Sequence, residues 1–185
     1  MVKIALTGGI GTGKTYLSKH FREMGIPVFY ADDEAKKLYR DDKFLEDMRR
    51  EFSVYPIWRE DGELDMTAMR ASFADKAFMR KLSAFVHPYV MRKFAEWSAE
   101  QTSESVMMES AIIFEYGLEK YFDKIIVADA PEHLRIQRVK NRNPELTDEQ
   151  IRHRMEQQLP QEVKCTRADL VVCTGETYKL SIENQ

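Results

Sequence analysis

The chain has 185 residues, with 28 Lys+Arg against 31 Asp+Glu, a formal net charge of −3, 43% hydrophobic and 32% charged residues. That length can bury the core of one domain carrying an inserted subdomain, and the acidic balance argues against a chain built to bind bulk nucleic acid. No run of 18 apolar residues occurs, which excludes a membrane-spanning helix, and the apolar run after Met1 is too short for a signal peptide. Cys165 and Cys173 make no disulfide framework and read as packing residues, so a cytoplasmic location is expected.

In chain order, Val2-Lys3-Ile4-Ala5-Leu6 reads as an apolar strand, and Gly8-Gly9-Ile10-Gly11-Thr12-Gly13-Lys14-Thr15 follows it. The latter matches G-x-x-x-x-G-K-[ST], a loop whose backbone N–H groups wrap a phosphate. Leu17, Phe21 and Met24 then carry helical spacing up to Gly25, a stop signal. A loop between a strand end and a helix N-terminus favours an anion through the helix dipole and unpaired N–H groups. Gly8, Gly9, Gly11, Thr12, Gly13, Lys14, Thr15 and Tyr16 are therefore the expected nucleoside triphosphate site. Lys14 is aimed at the β/γ-phosphates, and Thr15 is the candidate Mg²⁺ ligand.

Further β-rich segments are Pro27–Tyr30, Ser105–Met108, Lys124–Ala128 and Asp169–Val172. With the first strand they predict a five-stranded parallel sheet in an α/β fold. About 75 residues separate the second strand from the third, far more than one crossover helix needs. This stretch predicts helices near Asp32–Tyr39, Lys43–Phe52, Met66–Phe73, Asp75–Leu82 and Phe85–Gln101. It is rich in aromatics from Tyr39 through Trp58 to Trp97, which suit a packed core or a flat second substrate.

Asp32, just after the second strand, can take the proton of an acceptor hydroxyl, or can serve as the cap of the helix that follows. Glu109, at the end of the third strand, stands where an acid orients Mg²⁺ through water, and Glu115 is a second acid near that edge. His87-Pro88 lies inside the long insert, where a lone histidine more often packs than binds. Arg135, Arg138 and Arg142 share one face of a helix, and Arg138 and Arg142 are the stronger candidates for cations over triphosphate. Thr147-Asp148-Glu149-Gln150 opens a further helix, which predicts a helix–turn–helix lid around Pro144. The histidines and cysteines lack zinc spacing, so Mg²⁺ is expected to arrive with ATP as co-substrate.

Several further segments resemble the dephospho-CoA kinase family. They are Leu6 through Thr15, Ala31-Asp32, Asp61-Gly62-Glu63-Leu64-Asp65, Phe73 with Asp75, Val86-His87-Pro88, Ile112-Ile113-Phe114-Glu115, Gln137-Arg138 with Arg142, Gln157, and Arg167-Ala168-Asp169. The resemblance departs from the family pattern at Tyr30, Met66, Ala111 and Thr174. It implies a P-loop core like that of nucleoside monophosphate kinases, over residues 1–31, 103–137 and 165–185. It also implies a helical acceptor-binding insert over residues 32–102 and a helical lid over residues 138–164.

The activity implied is ATP-dependent phosphorylation of the ribose 3′-hydroxyl of dephospho-CoA, with no nucleic acid or membrane partner. By the same resemblance Asp32, Lys14 and Arg138 are the catalytic candidates, Arg138 and Arg142 face ATP, and Asp32, His87 and Glu115 face the acceptor. Another small-metabolite or nucleotide kinase of this fold, or a nucleotide-binding protein without catalysis, are the alternatives. A GTPase is disfavoured because neither D-x-x-G nor N-K-x-D occurs.

Overall fold

The computed structural model describes residues 1–175 and 180–183. The chain divides into two compact units, Met1–Tyr30 with Glu100–Gln185, and Ala31–Ala99.

In the first unit, strands β1 (Val2–Thr7), β2 (Val28–Tyr30), β3 (Ser105–Glu109), β4 (Lys124–Asp129), β5 (Leu170–Thr174) and β6 (Leu180–Glu183) form one sheet in the order β2-β3-β1-β4-β5-β6. The first five run parallel, with Leu6 paired to Glu109 of β3 and Ile126 of β4. Parallel strands are covered on both faces, which explains why their sequences are runs of Val, Ile, Leu and Met rather than alternating patterns. Leu6, Met107, Ile126, Ala128 and Val172 meet Leu17 from helix α1 (Lys14–Glu23) in the core. Gly25, at φ 85°, ends that helix in the left-handed conformation.

β6 pairs antiparallel to β5 and had no counterpart among the expected strands. It is an edge strand of four residues, too short to show a period in sequence.

Helices α6 (Glu132–Arg142), α7 (Asp148–Glu156) and α8 (Gln161–Thr166) connect β4 to β5. α6 and α7 pack through Ile136, Val139 and Ile151. Thr147 and Gln150 close a reciprocal capping box at the start of α7, where the sequence placed a helix start. The expected lid boundary at residue 138 falls in the middle of α6, and that at residue 164 lies inside α8.

The second unit contains α2 (Ala31–Leu38), α3 (Asp42–Glu51), α4 (Met66–Ala71) and α5 (Lys76–Ala99). Its aspartates set the helix starts. Asp41 accepts the Phe44 N–H, Asp65 accepts those of Thr67 and Ala68, and Asp75 accepts those of Ala77 and Phe78. Gly62, at φ 83°, turns the chain between Trp58 and Leu64, which bridge across the turn. Asp61-Gly62-Glu63-Leu64-Asp65 is thus a turn followed by a helix cap.

α5 corrects the expectation of two helices, because its 24 residues run unbroken through Pro88. Proline removes the bond to the carbonyl of Ala84, and both residues are exposed, so water can serve that carbonyl. Leu82, Val86, Val90 and Phe94 are buried on either side and hold the two halves in line.

Many of the aromatics of this unit pack against one another in its core. Phe44, 1% exposed, has ring centroids 5.4 Å from Tyr39, 5.3 Å from Phe85 and 5.0 Å from Tyr89. Phe52 extends the cluster to Tyr55, Phe78 and Phe85. His87 is half-buried on α5, and that burial pushes its pKa down to about 4.

Phe44→Ala should destabilise this unit by about 3–5 kcal/mol, read from denaturant unfolding. The pH dependence follows from His87. A folded pKa near 4 against an ordinary value of 6.5 leaves the neutral imidazole's contribution intact above pH 6.5. As pH falls from 6.5 towards 4 the unfolded chain binds the extra proton, and stability drops. The urea midpoint should therefore fall across that window, and His87→Asn should flatten the fall.

Candidate active site

The glycine-rich loop leaves the carboxyl end of β1 and enters α1, with Gly13 as the N-terminal cap at φ 91°. Gly11, at φ 80°, lies so close under α6 that a Cβ there would sit 2.5 Å from the Arg135 carbonyl oxygen. A side chain at Gly11 would meet both steric overlap and a left-handed backbone. Within the loop, the buried Thr12 hydroxyl donates to the Gly9 carbonyl at 2.9 Å. Lys14 Nζ donates to the carbonyls of Gly8 at 2.8 Å and Gly9 at 3.2 Å, which folds its ammonium back over the loop. Tyr16 follows in the first turn of α1, with its ring edge-on to His20 at 4.4 Å.

Thr15, in the first turn of α1, and Glu109, at the end of β3, come together. The Thr15 hydroxyl donates to Glu109 Oε1 at 3.1 Å, and Glu109 Oε2 is buried with no hydrogen-bond partner among the described residues. An orphaned carboxylate oxygen beside a hydroxyl fits a divalent cation shared with phosphate oxygens, directly or through water. Among the described residues no cluster of three or more His, Cys, Asp or Glu side chains gathers to hold a metal.

Two of the three arginines of α6, Arg135 and Arg138, donate to the loop's own backbone. Arg138 donates to the Thr174 hydroxyl at 2.8 Å, to the carbonyls of Thr174 at 3.0 Å and Gly175 at 2.8 Å, and to the Gly11 carbonyl at 3.4 Å. The Thr174 hydroxyl in turn donates to the Thr12 carbonyl at 2.7 Å. Thr174, a departure from the family pattern, is therefore a fully buried junction between β5, α6 and the loop. Arg142 is exposed and donates to the Arg138 carbonyl within its own helix. Arg135, which the sequence ranked behind these two, is buried and donates to the Ile10 carbonyl at 3.0 Å.

Glu115, expected at the acceptor, is committed to a buried ion pair. Its Oε1 lies 2.5 Å from Nζ of Lys164, which has no exposed surface, and it also accepts the Leu159 N–H at 3.1 Å. Glu115 Oε2 is buried with no hydrogen-bond partner among the described residues. Asp169 is also structural, accepting from Lys124 Nζ at 2.9 Å and from the Ile125 N–H at 2.8 Å.

The structure thus gathers Gly8 through Tyr16, Glu109 and Arg138 in the first unit. Asp32 and His87 belong to the second. Asp32 is exposed in the first turn of α2, two residues beyond Tyr30, which is in register with Glu109. Sequence reasoning missed Gln158 and Gln161, which bond the N–H groups of Ile10 and Gly9, and had singled out Gln157 instead. The one available signal was two amide side chains in the segment between α7 and β5, and nothing local identifies their partner.

Residues 2–178 match the family model for dephospho-CoA kinase. The dephospho-CoA kinase of Bacteroides fragilis strain YCH46 is 32% identical, covering 92% of this chain and 83% of its own length. That of Methylococcus capsulatus is 31% identical, covering 99% and 93%, and that of Geobacillus kaustophilus is 34% identical, covering 91% and 86%. Among solved structures, TT1252 from Thermus thermophilus superposes with a TM-score of 0.80 at 29% identity, covering 96% of this chain and 91% of that one. The dephospho-CoA kinase from Campylobacter jejuni shares the fold, with a TM-score of 0.66 at 22% identity over 95% and 89%. A phosphate loop at the end of β1, an acid at the end of β3 and this likeness along nearly the whole chain lead to one assignment: the chain belongs to the dephospho-CoA kinase family.

Proposed function

We propose that this chain transfers the γ-phosphoryl group of ATP to the ribose 3′-hydroxyl of dephospho-CoA, giving CoA and ADP. The observation that carries the reading is the juxtaposition of the Lys14 loop with the Thr15–Glu109 pair, in a chain whose relatives at 31–34% identity are dephospho-CoA kinases. The N-terminus of α1 and the loop's backbone offer a fixed positive field to phosphate oxygens. Lys14 exchanges the Gly8 and Gly9 carbonyls for β- and γ-phosphate oxygens when nucleotide arrives, a swap of neutral acceptors for anionic ones.

The acceptor oxygen attacks the γ-phosphorus in line, the bond from that phosphorus to the β-bridging oxygen breaks, and ADP leaves. Asp32 takes the acceptor's proton, a role that suits an exposed carboxylate in the helix turn after β2. Thr15, with Glu109 behind it, would hold Mg²⁺, which when bound would supply neutralisation of phosphate charge. Arg138 acts by holding the loop and the end of β5 in place, and the exposed Arg142 of α6 is the arginine assigned to the phosphate oxygens.

We assign the acceptor to the helical unit Ala31–Ala99, where His87 is neutral at pH 7 and offers a hydrogen bond rather than a charge. No helix among the described residues is long and apolar enough to cross a membrane, and both cysteines are free. A cytoplasmic enzyme is consistent with both.

The test is turnover of Asp32→Asn with dephospho-CoA and Mg-ATP in a coupled ADP assay, beside ATP affinity measured without acceptor. We expect turnover to fall by about 100-fold or more with ATP affinity within about twofold of wild type. Near-normal turnover would remove Asp32 as the base, and a wild-type chain with no dephospho-CoA-dependent turnover would overturn the function.

A further inference from the structure

The outgoing arm of the phosphate loop is gripped by one segment far along the chain. Gln158 Oε1 accepts the Ile10 N–H at 2.8 Å, and Gln161 Oε1 accepts the Gly9 N–H at 2.9 Å. Gln161 Nε2 also donates to the Ala128 carbonyl at 2.9 Å, so this one carboxamide ties the loop to β4. Gln161 is only 8% exposed, and Arg135 completes the grip through the Ile10 carbonyl.

The same segment is fastened on its other side. Lys164 Nζ binds Glu115 and donates to the Ala111 carbonyl at 2.8 Å, while Glu115 receives the Leu159 N–H. Residues 158–164 therefore hold the phosphate loop in register with the loop that follows β3, whose first residues continue from Glu109. A loop with glycines at 8, 9, 11 and 13 has many accessible backbone conformations, and only some point their N–H groups at one phosphate. Bonds from outside that select one conformation before nucleotide arrives remove part of the ordering cost of binding. Gln158 follows α7 by two residues, so the strap also links that helix to the loop.

We propose that residues 158–164 form a strap that preorganises the phosphate loop, with Gln158 and Gln161 as positioning residues for ATP binding and phosphoryl transfer. This rests on reading the loop as the cradle of ATP. It requires ATP to be affected selectively, because both carboxamides bond the phosphate loop.

The experiment compares Gln158→Leu, Gln158→Glu and the neighbouring, exposed Gln157→Leu in the full chain. ATP affinity is measured by calorimetry without acceptor, with KM for each substrate and the thermal midpoint alongside. Gln158→Leu leaves the Ile10 N–H without its acceptor and should weaken ATP binding about tenfold, with KM for dephospho-CoA changed less than about twofold. Gln158→Glu keeps an oxygen at that N–H but adds a carboxylate beside the phosphates, so at high ionic strength, where that repulsion is screened, it should bind ATP more tightly than Gln158→Leu, and Gln157→Leu should match wild type.

Gln161→Met, which removes the second acceptor, should repeat the effect and gives an independent reading should Gln158→Leu fail to fold. ATP affinity unchanged in the Gln158→Leu and Gln161→Met chains overturns the strap, as does Gln158→Glu binding ATP no more tightly than Gln158→Leu at high ionic strength, or equal losses for both substrates. Wild-type chain that binds ATP without phosphorylating dephospho-CoA would defeat the proposed reaction, yet the calorimetric comparison would still decide the strap.

Discussion

The structure turns on a loop with no room for side chains. Between the end of β1 and the start of α1, the backbone passes so close to Arg135 and Ala128 that a Cβ at Gly11 or Gly8 would lie 2.5 Å from a carbonyl oxygen. That approach is possible only for glycine, and it lets α6 and β4 support the loop directly, backbone to backbone. The β5 end joins through Thr174, whose hydroxyl bonds Thr12 and whose carbonyl receives Arg138. The sheet order places β1 between β3 and β4, so the loop emerges where neighbouring strands send their connections in different directions. Ligands of open parallel sheets bind at such a point.

Charge in this site is divided between fixed and available groups. Arg135 and Arg138 are tied to backbone carbonyls, and Lys164 is buried against Glu115; these cations set geometry. Removing one partner of such a buried pair leaves an uncompensated charge and disturbs the loops it joins. Lys14 and the helix N-terminus are the groups poised for incoming phosphate. Arg142 remains exposed, and the Thr15–Glu109 pair keeps one carboxylate oxygen unpartnered. A net acidic chain can thus cradle a triphosphate, because the positive field is local and largely backbone.

Much of this was legible in the sequence where the cause is local. The glycine spacing, the apolar strands and the stop at Gly25 each follow from a few adjacent residues. Pro88 misled because its cost is small where the freed carbonyl faces water, and tertiary packing on both sides overrides a local break. β6 was missed because a four-residue edge strand carries no period. Asp61, Asp65, Asp75 and Asp169 were legible only as elements of the family resemblance, and the structure uses them for turns, caps and strand pinning. The partner of Gln158 lies 148 residues away, and a carboxamide accepting one distant N–H leaves no trace in pattern or composition. The pairing of Glu115 with Lys164 was illegible for the same reason, because Lys164 is brought in only by the packing of α8.

The most direct measurement is phosphorus NMR of the purified chain with Mg-ATP and dephospho-CoA, following the fate of the γ-phosphoryl group. A phosphomonoester resonance on the ribose 3′-position of CoA is expected, growing one-for-one with ADP and without inorganic phosphate. ADP accompanied only by inorganic phosphate, or a phosphorylated product at any other position, would contradict it.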